Sequence, residues 1–353
     1  MKIWIDALTP KQALLAIFLA KHLDNHGYET IITVRDYDFT VSLAKRYRKD
    51  ILVIGSYGGR DVKNKLKADI ERMEKLTEVL DSSFDVLIAY PNPSAARVAF
   101  GLGKPYIAIT DSPHSEIPSR LSLPLATAVI TSTCISAEKI RRYMYHDSKL
   151  FQFRGVDEIL WLRNWRFDKK ELQRFELEER KYLILRPEEK YATYYMGKEI
   201  EKNIWIKIIQ WALEKDLKVI FIPRYEDQKR IISQKHPNII VVEAEGVDGP
   251  TLNRYALAVI TGGATMAREA SLLGTVGISI FPGYIDVNEC VKSWGFPLFT
   301  NITTVRKILE ILERTIKDPD AYLDISRQRL KELEAPDKVV TKVLMSLRGK
   351  TKC

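Results

Sequence analysis

Short apolar runs recur from the first residue to the last third of the chain, each followed by a longer stretch whose apolar positions keep helical spacing. That alternation constrains the fold more than any other feature. Parallel strands need crossover connections, and a sheet covered on both faces reads as unbroken apolar segments. The pattern predicts strands at Lys2–Asp6, Thr30–Val34, Ile51–Ile54, Val86–Tyr90, Tyr106–Thr110 and Ala128–Ser132. A second series follows at Tyr182–Arg186, Lys218–Pro223, Asn238–Glu243, Ala256–Thr261, Val276–Phe281 and Pro297–Thr300. Between them, Gly155–Lys181 breaks the rhythm with Trp161, Trp165 and mixed charge. A chain of 353 residues can bury two cores. The expected fold is therefore α/β, with two Rossmann-like domains whose parallel sheets face an interdomain cleft. Its expected parts are a first domain over 1–160, a linker over 161–180 and a second domain over 181–335. A C-terminal helix and basic tail over 336–353 could cross back to the first domain.

No run approaches the roughly 18 consecutive apolar residues that a spanning helix needs. Asp6, Pro10 and Lys11 interrupt the start, where a secretory signal would be unbroken. The expected location is cytoplasmic, with peripheral contact at the inner membrane face left open. Cys134, Cys290 and Cys353 show no CxxC spacing, so no zinc site is read. The net charge of +9 favours anionic partners, although much of it lies at scattered helix positions and in Arg348–Lys352. Basic residues do not alternate with aromatics in a patch, so nucleic acid is not an expected partner. A homo-oligomer is compatible with everything in the sequence.

In an open parallel sheet, ligands sit beyond the carboxyl ends of the strands. The strongest local signal lies at such an end: Ala258 to Gly274 reads as strand, glycine turn, helix. Gly262 and Gly263 lack a Cβ, so their amides can approach an anion closely. The helix behind them aims its unpaired amides and positive dipole end at the same spot. Thr265 adds a hydroxyl donor, and Glu269 stands about one turn on, where a carboxylate can accept from two ribose hydroxyls. Met266, Ala267, Ala270 and Leu273 form the buried stripe, and Gly274 stops the helix.

This segment resembles the donor-binding motif of GT-B glycosyltransferases and of non-hydrolysing UDP-N-acetylglucosamine 2-epimerases, in which a Gly-Gly turn holds the diphosphate and a following Glu the ribose. Together with Trp4-Ile-Asp-Ala-Leu-Thr-Pro10, Arg120-Leu-Ser-Leu-Pro-Leu-Ala126 and the run Asn253–Gly274, it resembles the uncharacterised, largely archaeal family known as domain of unknown function 354. The likeness covers most of the chain. It implies a GT-B-like fold and a nucleotide-sugar, UDP-linked, as substrate, with no cofactor.

Other candidates lie at strand ends. Asp6, Thr9 and Lys11 follow the first strand on the acceptor side; Lys11 could meet an anion, and Thr9 with Pro10 equally reads as a helix cap. Asp111, His114 and Glu116 place two carboxylates and an imidazole after the fifth strand, the group types that move protons near neutral pH. Arg186 and Arg224 follow second-half strands and can neutralise a diphosphate. Asn288 and Glu289 are candidate sugar-hydroxyl binders. Asn92 stands where the epimerases have an acidic residue, and Arg186-Pro187 where they have a histidine, which lowers the epimerase reading. Asp36-Tyr-Asp38 and Asp318-Pro-Asp320 lie away from the glycine turn and are read as chance, so no metal ligand is expected. The expected function is metal-independent glycosyl transfer to an unknown acceptor, for which the basic surface suggests an anionic or lipid-linked molecule. An epimerase-like enzyme and a non-catalytic binding protein are the alternatives.

Overall fold

The structure is a computed structural model, and it describes residues 1–59, 61–80, 83–188, 200–243 and 247–348. The expected basic tail beyond residue 348 lies outside the described residues. The chain divides into two compact units, the first formed by Met1–Trp161 and the chain returning from Leu333, the second by Leu162–Glu332.

Each unit is built on a sheet whose strand pairs are all parallel. The first unit holds β1 (Lys2–Ala7), β2 (Glu29–Asp36), β3 (Leu52–Ser56), β4 (Val86–Ala89), β5 (Tyr106–Thr110), β6 (Ala128–Ser132) and β7 (Lys149–Phe153), in the order β3-β2-β1-β4-β5-β6-β7. The second holds β8 (Tyr182–Arg186), β9 (Lys218–Phe221), β10 (Ile240–Val241), β11 (Ala258–Thr261), β12 (Val276–Ser279) and β13 (Leu298–Phe299), in the order β10-β9-β8-β11-β12-β13. Both are doubly wound Rossmann-like sheets. Strand order reverses between β1 and β4 in one and between β8 and β11 in the other. Crevices for ligands open beyond the carboxyl ends of such neighbours.

The apolar runs become strands because alternate residues serve opposite faces. In β8, Leu183 and Leu185 join Ile208, Ile209, Phe221 and Ile260 on one side, while Tyr182 and Ile184 join Ile220, Leu252 and Val259 on the other. Helices cover both sides, so neither set can be polar. In the first unit Trp4 is fully buried, edge-on to Phe84 with centroids 5.0 Å apart, and its indole donates to Thr33 Oγ1 at 2.7 Å. The helix Pro10–Asn25 starts at Thr9, whose side chain accepts from the Gln12 amide, with Pro10 in the first turn; the Gln12 side chain in turn accepts from the Leu8 amide at 2.7 Å. This is the reciprocal arrangement of a capping box shifted by one residue.

Two features differ from the sequence pattern. A further strand, β7, lies at the sheet edge, where Lys149 and Gln152 are exposed and an unbroken apolar run is not required. Residues 161–180, expected as a linker, carry the helix Lys170–Arg174, and its Leu172 is buried with Leu177 in the second unit's core. The helix Pro336–Arg348 packs against β6, β7 and the Pro10–Asn25 helix, with His22 Nε2 3.0 Å from Thr341 Oγ1.

Candidate functional site

In the second unit the glycine turn stands at the strand-order reversal. Thr261, the last residue of β11, is in register with Arg186 of β8 and Ser279 of β12. The Gly262 amide donates to the Arg186 carbonyl at 2.8 Å, and the Gly263 amide to Thr261 Oγ1 at 3.0 Å. Ser279 Oγ donates to the Gly263 carbonyl at 2.9 Å. A Cβ on Gly262 would lie 2.2 Å from Glu188 Cα. The missing side chain at Gly262 therefore admits the chain that leaves β8, and both glycine amides are engaged within the unit. This corrects the expectation that the glycine amides face an anion.

The donors available there come next along the chain. The helix Thr265–Leu272 starts after Ala264 without a side-chain cap. Among the described residues, the amides of Ala264, Thr265 and Met266 meet no acceptor. Such a helix start attracts anions through its bare N–H groups and its dipole. Arg224 bonds through Nε to the Pro187 carbonyl at 2.9 Å, and a Cβ on Gly263 would lie 3.6 Å from its Nη2, so its guanidinium lies beside the turn. Arg186 is largely buried at the end of β8. Glu269 is buried one turn into the helix, where Oε2 accepts from Asn253 Nδ2 at 3.1 Å.

Asn288 and Glu289 do other work. Asn288 Oδ1 accepts from the buried Arg268 guanidinium at 2.7 Å, and Asn288 is itself buried. Glu289 accepts from Thr300 Oγ1 at 2.7 Å and lies 3.6 Å from Lys292 Nζ. Both tie the helix Asp286–Ser293 to its surroundings.

In the first unit, strand ends bring together a cluster that the sequence shows only in part. Lys11 Nζ forms a salt bridge with Asp111 and lies 3.3 Å from Asp157 Oδ2 and 3.7 Å from Glu158 Oε1. Tyr90, just past β4, donates its hydroxyl to Asp157, and Lys11 Nζ is 5.3 Å from the Tyr90 ring centre. Asp157 and Glu158 are almost wholly buried. Three carboxylates around one ammonium cannot all hold full charge out of water, and burial pushes the Asp157 carboxyl up to about 6. Asp111 and Glu158 push it the same way, while Lys11 and the Tyr90 hydrogen bond oppose. Burial and the adjacent Asp157 hold the Tyr90 phenol well above its usual range.

Asp6 and Asn92 are buried, and their polar atoms serve each other. Asp6 accepts from Thr33, from Asn92 and from Arg72 Nη2, the last at 2.6 Å in an ion pair with no exposed surface on either side chain. Arg72 is anchored further by the Ile54 carbonyl at 2.9 Å and Ser94 Oγ at 3.1 Å. Asn92 also caps the helix Pro93–Gly101 through the Ala95 amide. Their expected place on an acceptor surface is thereby corrected, and Thr9 acts as a helix cap. His114 is exposed, and Glu116 pairs with Arg120 at 3.4 Å on the rim of a 360 Å³ cavity shared with Arg142 and Tyr143. Sequence reasoning missed Tyr90, Asp157, Glu158 and Arg72. The signal for the two acids was an acidic pair just past a strand, but β7 itself is too polar to be seen.

The family model described as "Protein of unknown function (DUF354)" matches residues 1–343. The chain belongs to this family. A curated relative of this DUF354 chain is the uncharacterized protein MJ0665 of Methanocaldococcus jannaschii, 27% identical over 290 residues, which cover 80% of this chain and 82% of the relative. Among solved structures, the S. aureus MnaA–UDP co-structure is similar with a TM-score of 0.74 at 15% identity, covering 99% of this chain and 97% of that one. The M. jannaschii UDP-GlcNAc 2-epimerase in complex with UDP-GlcNAc and UDP gives 0.70 at 15% identity, over 90% and 93% of the two chains. The spinosyn forosaminyltransferase SpnP gives 0.61 at 12% identity, over 99% of each. At these identities the likeness shows the fold alone: DUF354 shares the GT-B-like architecture of epimerases and glycosyltransferases.

Proposed function

We propose that this chain is a nucleotide-sugar enzyme that transfers the sugar without a metal, its diphosphate seated at the start of the Thr265–Leu272 helix. The observation that carries the reading is the group of bare amides at Ala264, Thr265 and Met266 beside the Arg224 guanidinium, at the strand-order reversal of a Rossmann-like sheet. Arg186 and Arg224 would match the charge that builds on a departing diphosphate, as fixed donors do best in a water-poor site. Glu269, steadied by Asn253, would take the ribose hydroxyls. Neighbours in the fold that bind UDP support uridine as the base.

Within the first unit, the carboxylates around Lys11 are groups of the kind that accept a proton. Asp111 is held by Lys11, and Asp157 has the near-neutral affinity that proton transfer at physiological pH favours. The experiment is a calorimetric screen of nucleoside diphosphates and their sugars, followed by product analysis with candidate anionic or lipid-linked acceptors. Binding of a nucleoside diphosphate and transfer of its sugar are expected; absence of binding to every nucleotide offered sinks the reading.

A second reading, epimerisation at the sugar's C2, is favoured by the fold likeness to an epimerase and by the same carboxylate cluster. Against it, Asn92 is an amide engaged with Asp6, and Arg186 stands where a histidine would be needed. Incubation of the bound nucleotide-sugar in heavy water separates the two: deuterium appearing at C2 would move the assignment to epimerisation.

A further inference from the structure

The 360 Å³ cavity of the first unit lies between the helix Glu116–Ser122, which follows β5, and the stretch that follows β6; Glu116, Arg120, Pro124, Arg142 and Tyr143 line it. That volume falls in the range of small-ligand sites. Tyr143 is buried, and the Arg142 guanidinium stands over its ring, 4.6 Å from the centre, with Nη2 donating to Tyr143 Oη at 2.6 Å. The guanidinium is thus held in place, yet among the described residues it forms no ion pair. Arg120 has one, with Glu116 at 3.4 Å, and these two side chains are 69% and 62% exposed. Exposed pairs of this kind hold weakly. As a donor, the Tyr143 hydroxyl reaches the Pro113 carbonyl at 3.5 Å, the outer limit of a hydrogen bond. The wall therefore carries two guanidinium groups against one loosely paired carboxylate. Behind it, the helix Ala137–Arg141 brings Glu138, Lys139 and Arg141, a further net positive charge, while His146 and Asp147 pair with each other at 3.4 Å.

We propose that this cavity binds the phosphate of a phosphate monoester. A guanidinium fork matches two phosphate oxygens. Two forks and a phenol proton suit the three terminal oxygens of a monoester, where a carboxylate would offer two. Asp111 lies two residues before Pro113, so the cavity wall meets the loop that carries the Lys11–Asp111 salt bridge. Phosphate binding by the cavity stands on the first unit alone; naming the ester as the sugar acceptor rests on the transferase reading above. A free small molecule and a lipid headgroup present the same monoester chemistry.

Calorimetry on the full chain with glycerol 3-phosphate, and flotation with phosphatidylcholine vesicles with and without phosphatidic acid, test this. Binding is expected to glycerol 3-phosphate for a free ester, or to the phosphatidic acid vesicles alone for a headgroup. Arg120→Gln and Arg142→Gln are each expected to weaken it about tenfold, the usual loss of a charged hydrogen-bond partner. Arg141→Gln removes the same charge outside the cavity and is expected to leave the affinity unchanged. Circular dichroism is expected to be unaltered in all three, since these side chains are exposed. No binding to either probe, binding that both cavity variants retain, or an equal loss with Arg141→Gln overturns the proposal. Uridine diphosphate titrated into the same proteins separates the two readings. If it binds while neither monoester probe does, this inference alone falls; if a monoester binds at the two arginines while no nucleotide binds, the cavity site stands and the transferase reading falls.

Discussion

Glu269 and Asn253 show how a buried carboxylate is held in a fixed orientation at the start of a helix. One oxygen accepts from the Asn253 amide at 3.1 Å, and the carboxylate is fixed on the second turn of its helix. Replacing Glu269 by Ala is expected to weaken binding of a nucleoside diphosphate by about 1–3 kcal/mol, the usual loss when a charged acceptor is removed from hydroxyl donors. Titration calorimetry reads this directly, and unchanged affinity would remove the ribose assignment. Arg72 presents the opposite case. It is wholly buried against Asp6, Ser94 and the Ile54 carbonyl, so Arg72→Leu leaves the Asp6 carboxylate without its counter-ion in the interior. A loss of about 3–5 kcal/mol in folding stability is expected from urea unfolding, as for other broken buried pairs. Asp157 yields a prediction about pH. Its folded carboxyl titrates at about 6 against 3.8 for an ordinary one, so between these values the folded chain keeps a proton that the unfolded chain has released. Its contribution to stability therefore falls as pH rises through that window and is level above it. If Asp157 must be ionised for turnover, the rate climbs with pH through about 6. Tyr90→Phe removes the hydrogen bond that lowers the Asp157 value, so the limb should move to higher pH. A limb that stays in place would separate Asp157 from the reaction.

At the scale of elements, legibility follows from how many neighbours a segment must satisfy. Strands buried on both faces, such as Tyr182–Arg186 and Tyr106–Thr110, admit only apolar residues at almost every position, and they stand out. β7 is covered less and keeps Lys149 and Gln152, so its existence, and with it the acidic pair at Asp157 and Glu158, was hidden. The strand-end residues were legible as positions but not as partners. Asp6 reads as a cleft acid from its place after β1, yet its three donors lie 27, 66 and 86 residues away in sequence, a convergence no local pattern displays. The glycine turn was legible as a unit, while the reason for its first glycine was not. Because a Cβ on Gly262 would come within 2.2 Å of Glu188 Cα, Gly262→Ala must push the segment after β8 aside. The overpacked turn is expected to lose about 1–3 kcal/mol of stability. Nucleotide affinity should fall with it, since Pro187, which holds Arg224, is the neighbour of the displaced residue. Thermal unfolding and calorimetry on the same variant would show the two losses together, whereas a variant of normal stability would contradict the close approach.

Over the whole molecule, the path of the chain decides which unit each segment supports. The polypeptide leaves the first unit at Trp161, builds the second, and returns at Leu333 to complete the first. The returning helix Pro336–Arg348 buries Val340, Val343 and Leu344 against β6, β7 and the Pro10–Asn25 helix. Full burial of three such side chains contributes about 1.5–3 kcal/mol each, a large share of the roughly 5–15 kcal/mol by which a domain is stable. Removal of residues from 336 onward is therefore expected to loosen the first unit, although those residues lie far from it in sequence. Hydrogen exchange followed by mass spectrometry should show protection lost in Ala128–Ser132, Lys149–Phe153 and Pro10–Asn25. The sheet of the second unit has its own two apolar layers, one led by Leu183 and Phe221 and the other by Ile184 and Val259, and owes nothing to this helix. Its amides should keep their protection, and the truncated chain should still bind a nucleoside diphosphate at the Thr265–Leu272 helix. Loss of protection spread evenly over both sheets would mean that the two units do not hold their cores independently.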